Sequence, residues 1–289
     1  MLAVVSCDDQ PKGDQGPQFS DKPPGGDAEY VFGVHPLHNP ARLYQIFGPV
    51  IDALNARIPG VVFRLEASRD YAAFEEKLFS GKFAFALPNP YQTVSAMKHG
   101  YRVFGKMGDD ENFRGIILVR KDSGITSVAD LKGRAVSFPA PTALAGTMMT
   151  QYFLQAHGLQ VMRDIDIRYV GSQESSIMNV FLGNTAAGAT WPPPWRLLSA
   201  ERPELKEALE PIWITDPLPN NSLMVRRDVL EGMTAKVAAV ILHLHEEAAG
   251  REMLKAIGLS RFEAADDGTY RPVVEFLEKF SHSVRPLDW

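Results

Sequence analysis

The feature that most constrains the fold is a strand, a turn of small residues and a helix in immediate succession within residues 122–158. Residues 134–138 predict a strand, and a turn rich in Thr, Ala and Gly leads into a helical run at residues 146–157. Such a helix start leaves backbone N–H groups unpaired, and the helix dipole favours an anion there. The turn therefore predicts a cradle for a small solute, formed by Thr142, Ala143, Leu144, Ala145, Gly146 and Thr147.

Strands and helices alternate before this segment. The pattern predicts strands at residues 29–34, 61–67 and 83–87, with helices at 43–57 and 71–80 between them. A βαβαβ order predicts a parallel sheet whose ligand crevice lies at the carboxyl ends of the strands. His35, Asn39, Asn89 and Tyr91 fall at those ends.

The rest of the chain predicts a second lobe and a return to the first. A strand at 115–120 enters the second lobe, and residues 212–216 with 221–226 predict a strand pair that leads back. Two crossings make a two-strand hinge, which permits closure over a ligand. The predicted first lobe comprises residues 29–118 and 217–289, including helices at 235–257 and 273–280, and the second lobe comprises residues 119–216.

Five motifs in this order resemble those of the solute-binding proteins of ABC transporters for phosphonate, phosphite and phosphate, over about residues 30–229. The motifs are Phe32-Gly33-Val34-His35-Pro36, Leu87-Pro88-Asn89-Pro90-Tyr91, Asp122-Ser123-Gly124-Ile125, Asp130-Leu131-Lys132-Gly133 and Gly171-Ser172-Gln173-Glu174. The resemblance implies a type II periplasmic binding protein: an α/β chain with two lobes, each a mainly parallel sheet flanked by helices. It also implies a monomer without cofactor that works with a membrane permease and an ATPase.

The resemblance places Tyr91 in the cleft, but the chain departs from the family at other contacts. Where relatives present three hydroxyl side chains to an oxyanion, this chain has Ala143, Leu144 and Ala145, and Gln173 replaces a family histidine. Three hydrogen bonds to a charged group, each worth about 1.5–3 kcal/mol, are lost by such a change, whereas backbone donors survive it. The sequence leaves open whether the ligand is a phosphorus oxyanion or a solute with an organic portion.

Two tryptophans flank three prolines at residues 191–195. The prolines predict a stiff, extended segment that displays both indoles. We expect Trp191 to form part of the cleft and Trp195 to cap the core of the second lobe. For His35, ligand contact and a structural role are both open, whereas Asn39 is expected to cap the first helix.

The N-terminus predicts a lipid anchor. Residues 1–7 resemble the end of a bacterial signal peptide with a lipobox, in which Cys7 is lipidated, and residues 8–28 predict a flexible tether rich in Pro, Gly and acidic side chains. The alternative is a chance cysteine in a disordered tail. The anchored protein is expected in the periplasm or at the cell surface, and its single cysteine excludes an internal disulfide.

Composition and motifs argue against several other functions. The net charge of −5 provides no basic surface for nucleic acid. The sequence has no catalytic motif, and Pro36 separates His35 from His38, which argues against a metal site. We therefore expect a binding protein and not an enzyme, either a transport receptor or, alternatively, a ligand-sensing subunit for a membrane histidine kinase.

Overall fold

The computed structural model describes residues 28–287 and residue 289. The predicted lipobox with Cys7 and residues 8–27 of the predicted tether lie outside this range. The strands are β1 Ala28–Val34, β2 Val61–Ala67, β3 Phe85–Leu87, β4 Tyr101–Met107, β5 Ile116–Arg120, β6 Ala135–Phe138, β7 Asp166–Tyr169, β8 Ala187–Thr190, β9 Leu209–Ile214, β10 Ser222–Arg226 and β11 Phe262–Glu263. The α-helices are α1 Pro40–Arg57, α2 Tyr71–Phe79, α3 Pro90–Met97, α4 Thr150–Ala156, α5 Val161–Asp164, α6 Gln173–Phe181, α7 Pro192–Glu201, α8 Pro203–Ala208, α9 Glu231–Ile241, α10 Ala248–Ile257 and α11 Arg271–Ser283.

The strands form two sheets, each of which is the centre of one lobe. The first lobe has six strands in the order β11-β4-β10-β3-β1-β2, and the second has five in the order β7-β6-β8-β5-β9. The predicted parallel arrangement of the first three strands is confirmed, since β1 pairs in parallel with both β2 and β3. None of the helices in the described residues is both long and apolar enough to cross a bilayer.

Both sheets are mixed, which corrects the prediction of mainly parallel sheets. In the first lobe β10 pairs antiparallel with β3 and β4, and in the second lobe β5 pairs antiparallel with β8 and β9. The predicted strand pair at residues 212–216 and 221–226 is also wrong. These strands belong to different sheets, because β9 completes the second lobe before the chain crosses and β10 enters the middle of the first.

The segment between the two tryptophans is helical, which corrects the predicted extended conformation. Helix α7 begins at Pro192, and its three prolines occupy the first turn. The first N–H groups of a helix have no partner within it, so proline loses nothing there and its fixed φ suits the helix. Trp195 packs with Ile116 and Ile177 in the core of the second lobe, as predicted.

The single long helix predicted at residues 235–257 is two helices. Helices α9 and α10 are separated by a 3-10 turn at Leu244–Glu246. The turn packs against α10 at Gly250, where a Cβ atom would lie only 1.9 Å from the carbonyl oxygen of Leu244. Only glycine permits this approach, so the break in the helix depends on a residue that the apolar periodicity does not reveal.

The chain crosses between the lobes twice, at residues 108–115 and 215–221. The crossings are joined by hydrogen bonds: Thr215 N–H donates to Gly115 O at 2.9 Å, and Leu218 N–H donates to Phe113 O at 3.1 Å. A Cβ atom on Gly115 would lie 2.5 Å from Thr150 Cγ2 and 2.6 Å from Ala145 O. The crossings therefore form a two-strand hinge that runs directly behind the helix of the predicted cradle.

Candidate functional site

A small cavity lies between the lobes, at the carboxyl ends of β1 and β3 and beside the hinge. The first lobe and the crossings contribute His35, Tyr71, Asn89, Phe113 and Asn221. The second lobe contributes Ala143, Leu144, Ala145, Gly146, Gln173 and Trp191. The centre of a water molecule can occupy about 10 Å³ of this cavity, so it has room for about one water.

Most of the residues predicted from the sequence meet at this cavity. His35, Asn89, Gln173 and Trp191 line it together with the turn at 143–146. Three predicted residues are not part of the lining: Tyr91, which is buried in the first lobe at the start of α3, and Thr142 and Thr147, which flank the turn.

Three lining residues were not predicted. Tyr71 is the first residue of α2, which follows β2, so its position near a strand end was a usable signal. Phe113 and Asn221 lie in the two crossings, and nothing in their local sequence indicates that these segments pass the cavity.

The cradle is the start of a continuous helical segment in which a π-helix, Leu144–Met149, precedes α4. The hydrogen bonds of this segment begin with Thr147, whose N–H donates to Ala143 O at 2.8 Å. The N–H groups of Leu144, Ala145 and Gly146 therefore precede the helical ladder, as the sequence predicts for such a start. A π-helix here agrees with the frequent occurrence of π-bulges at functional sites.

Gly146 allows the cradle to approach Gln173. A Cβ atom at Gly146 would lie 2.8 Å from Gln173 Oε1 and 3.1 Å from Gln173 Nε2. Gln173 is fixed by two further contacts: its Oε1 accepts from Thr190 Oγ1 at 2.9 Å, and its Nε2 donates to the hydroxyl of Tyr71 at 3.3 Å. The glutamine thus connects the cradle, the end of β8 and the first lobe.

A second polar bridge joins the lobes at Asn89. Its Nδ2 donates to Thr142 O at 3.0 Å, while its Oδ1 accepts from the N–H of Gln92 and caps α3. Gln92 also donates to Glu75 at 2.9 Å. Burial raises the pKa of Glu75, although hydrogen bonds from Thr142 and Gln92 oppose this shift. Thr142 therefore contacts the first lobe through both its backbone and its side chain.

Apolar contacts also hold the lobes together. Trp191 is buried and packs edge-on against Phe113, with ring centroids 5.4 Å apart. Trp191, Leu144 and Met148 belong to the same buried cluster as the core of the first lobe. Trp191 thus lines the cavity, as expected, and at the same time packs against the hinge.

The cavity is electrically neutral at neutral pH. Burial lowers the pKa of His35 to about 4, and a hydrogen bond to Leu87 O opposes this effect only in part. Burial raises the pKa of Tyr71 to about 12, so its hydroxyl stays protonated. None of the other described residues that line the cavity is ionisable. In the described part of the chain no group of three or more His, Cys, Asp or Glu is placed to hold a metal ion.

A larger cavity of about 100 Å³ lies at the mouth of the cleft. It shares Gln173 with the inner cavity, and it is also lined by His38 and by Asn39, whose side chain caps α1 as predicted. Across this mouth Arg42 of α1 forms an ion pair with Glu201 of α7 at 2.6 Å. Both lobes therefore meet at the mouth as well as inside.

Comparisons with known proteins agree with this architecture. A family model described as "ABC transporter, phosphonate, periplasmic substrate-binding protein" matches residues 32–270. The binding protein component of an ABC phosphonate transporter from Pseudomonas aeruginosa has a similar structure, with a TM-score of 0.82 and 16% identity over 89% of this chain and 88% of that one.

A probable phosphite-binding protein of an ABC transporter from Prochlorococcus marinus is 24% identical over 185 residues, which cover 60% of this chain and 62% of the relative. Its structure in complex with methylphosphonate has a TM-score of 0.81 at 21% identity and covers 89% of this chain and 99% of that one. A tetrathionate sensor histidine kinase from Salmonella typhimurium is 26% identical over 147 residues. These cover 48% of this chain and 25% of the kinase. The matches thus span less than two thirds of either curated relative.

Proposed function

Because the chain belongs to the family of periplasmic substrate-binding proteins of ABC transporters for phosphonates, we propose that it captures a small phosphonate-like oxyanion between its lobes and presents it to a membrane permease. The observation that carries this proposal is the cavity in which the amides of residues 144–146 meet buried polar side chains of the first lobe. The relative from Prochlorococcus marinus, whose structure holds methylphosphonate, supports the choice of ligand class.

The oxyanion would be held mainly by backbone groups. The N–H groups of Leu144, Ala145 and Gly146 are donors that the apolar side chains at these positions leave intact. Gln173 adds an amide donor, and Tyr71 adds a hydroxyl that remains protonated. The described lining contains no cationic side chain, so oriented dipoles would compensate the desolvation of the anion.

Entry of the solute requires the lobes to separate. The inner cavity has room for about one water, whereas sites for small molecules are far larger, about 300 Å³ or more. At Gly115 and Thr215 the two crossings are joined to each other by a backbone hydrogen bond and by a bond from Gly115 N–H to Thr215 Oγ1, which a rotation about the crossings can preserve. The ligand then stabilises the closed form by its difference in affinity for the two states.

The first test is calorimetric titration of the protein with methylphosphonate, phosphite and phosphate, together with thermal unfolding at saturating ligand. A ligand at a thousand times its Kd adds about 4 kcal/mol to the free energy of unfolding, which raises Tm by roughly 10 °C in a chain of this size. If none of the three oxyanions binds, the proposed function is wrong.

The variant that tests the site is Gly146→Ala. Its Cβ atom would collide with Gln173 and displace the cradle, so we expect at least a tenfold loss of methylphosphonate affinity, or about 1.4 kcal/mol. Gly48→Ala on α1 is the matched control, since a Cβ atom there meets nothing within 4 Å. An unchanged affinity in Gly146→Ala would place the oxyanion elsewhere.

Membrane attachment is the finer part of the proposal. The family description includes a periplasmic location, and we propose that lipid on Cys7 adds an anchor to it. A permease and an ATPase would complete the transporter, with the binding protein acting as a monomer. A Cys7→Ser variant is expected to move from the membrane fraction to the soluble periplasmic fraction of cells; retention at the membrane would exclude lipid attachment at this residue.

A further inference from the structure

Two hydrogen-bond acceptors of the inner cavity have no donor among the residues that the structure describes. The first is His35 Nε2. The other ring nitrogen, Nδ1, lies 2.9 Å from Leu87 O and donates its hydrogen there, because a carbonyl can only accept. The neutral ring then carries a lone pair on Nε2, and its low pKa, about 4, keeps the ring neutral. Among the described residues no donor is bonded to this nitrogen.

The second acceptor is the side-chain oxygen of Asn221. This residue is fully buried, and its Oδ1 has no hydrogen-bond partner in the described part of the chain. The other polar groups of Asn221 are engaged: Nδ2 approaches Met107 Sδ at 3.3 Å, the N–H donates to Asn220 Oδ1, and the carbonyl accepts from Met107 N–H. The contact of Nδ2 with the sulfur of Met107, a weak acceptor, orients the amide group and leaves Oδ1 without a hydrogen-bond donor among the described residues.

The two acceptors complement the cradle, which lines the same cavity. The amides of residues 144–146 donate to the unprotonated oxygens of a bound oxyanion, whereas His35 and Asn221 need a hydrogen from it. A buried acceptor that stays unpaired in the complex weakens binding by its full desolvation penalty. Sites built to hydrogen-bond a substrate hydroxyl reject analogues that lack it.

We propose that His35 and Asn221 make this site selective for oxyanions that carry a hydroxyl, such as a monoprotonated phosphonate, over oxyanions without one, such as a sulfonate. This inference rests on the proposed function and adds the protonation state of the ligand to it. Size and charge do not separate the two classes, since a hydrogen phosphonate and a sulfonate with the same alkyl group are both tetrahedral monoanions.

The test compares methylphosphonate with methanesulfonate by calorimetric titration, at a pH below the second pKa of methylphosphonate, where both are monoanions. We expect the wild-type protein to bind methylphosphonate about 100-fold more tightly or better. Equal affinities overturn the inference while leaving the proposed function intact. If neither binds, this inference is overturned, and the proposed function then depends on whether phosphite or phosphate binds. This comparison needs no variant, so it remains decisive if a substituted protein fails to fold.

The variant Asn221→Leu tests whether Asn221 causes the selectivity, because leucine has nearly the same shape as asparagine but no hydrogen-bond acceptor. We expect its preference for methylphosphonate to fall at least about tenfold, through weaker methylphosphonate binding and unchanged or tighter methanesulfonate binding. Asn89→Leu is the matched control in the same cavity, since both amide atoms of Asn89 are bonded to protein groups. It should change the two affinities by similar factors. If Asn221→Leu keeps the full preference for methylphosphonate over methanesulfonate, Asn221 does not have the proposed role.

Discussion

His35 lies at the end of the first strand, with its ring edge-on to Tyr71 and Phe74. Burial makes His35 a poor base, because it removes water from the charged form of the ring. Burial also lowers the pKa of His38 to about 4, with Arg42 and His35 contributing. Both histidines are therefore kept neutral by the fold at the pH where a free histidine begins to gain a proton.

This predicts a loss of stability in mild acid. The pKa of His35 is about 4 in the folded protein and 6.5 in the reference state, so the unfolded chain binds more protons between these values. The stability that the neutral His35 contributes to the folded protein is fully present above about pH 6.5 and is lost as the pH falls toward about 4. At about pH 5, protonation of His35 in the unfolded chain lowers the free energy of unfolding by about 2 kcal/mol. Urea unfolding at several pH values measures this loss.

His35→Gln provides the comparison, because glutamine remains neutral and keeps an N–H for Leu87 O. Its free energy of unfolding should fall about 2 kcal/mol less than that of the wild type between about pH 7.5 and about pH 5. Parallel pH curves for the two proteins would show that His35 is not the group that titrates.

At the residue scale, sequence reasoning located side chains that follow strands. His35, Asn89 and Gln173 are examples, because chain order alone places the end of a parallel strand at the crevice. Asn221 and Phe113 were not predicted because they lie in irregular segments, where no periodic pattern shows which side chains point toward the cavity. Tyr91 has the strand-end position, but the fold buries it in the first lobe beside the cavity.

The elements differ in how much of their structure local sequence determines. The strands and helices of the first βαβαβ unit follow the predicted pattern closely, because each has buried apolar side chains and the two helices begin at distinct caps, Asn39 and Asp70. The partners of β9 and β10 could not be predicted, because apolar strands of similar length compete for either sheet and long-range packing decides between them. The prediction for the prolines of α7 was wrong because proline disrupts the interior of a helix but is tolerated in its first turn, where these prolines lie.

The break between α9 and α10 gives a prediction at this scale. Gly250→Ala should destabilise the protein by about 1–3 kcal/mol or more, although alanine favours helices, because its Cβ atom would overlap Leu244 O. Gly232→Ala on α9 is the matched control: a Cβ atom there meets nothing within 4 Å, and we expect a gain of up to about 1 kcal/mol. Urea unfolding measures both. Stabilisation by both substitutions would contradict the close packing at Gly250.

Across the whole molecule, one contact between the lobes at the cleft mouth can be tested by itself. The ion pair of Arg42 and Glu201 spans the mouth of the cleft, and its side chains are 26% and 46% exposed. Partly exposed pairs contribute about 0–1 kcal/mol. A change of up to about 1 kcal/mol shifts the ratio of open to closed lobes up to about fivefold.

Glu201→Gln is accordingly expected to weaken methylphosphonate binding by up to about fivefold at low salt and by less at high salt, where the pair is screened. Arg42→Met should have a similar effect, and the double variant should be no worse than either single one. Calorimetric titration at two salt concentrations measures the affinities, and small-angle X-ray scattering measures the expected increase in radius of gyration without ligand. Strictly additive losses would show that the two residues act separately.

The order of the strands along the chain affects how the protein comes into being. The second lobe is one continuous stretch, from β5 to β9, whereas β10, which lies between β3 and β4, is made after all of it. As the chain emerges, the second lobe can complete its sheet while one edge of β3 and both edges of β4 are still unpaired. Only when residues 222–226 insert between them do the two halves of the cleft exist together. Maturation of the receptor therefore waits on a late, long-range strand insertion, which makes the first lobe the slower part to fold and the more exposed to aggregation.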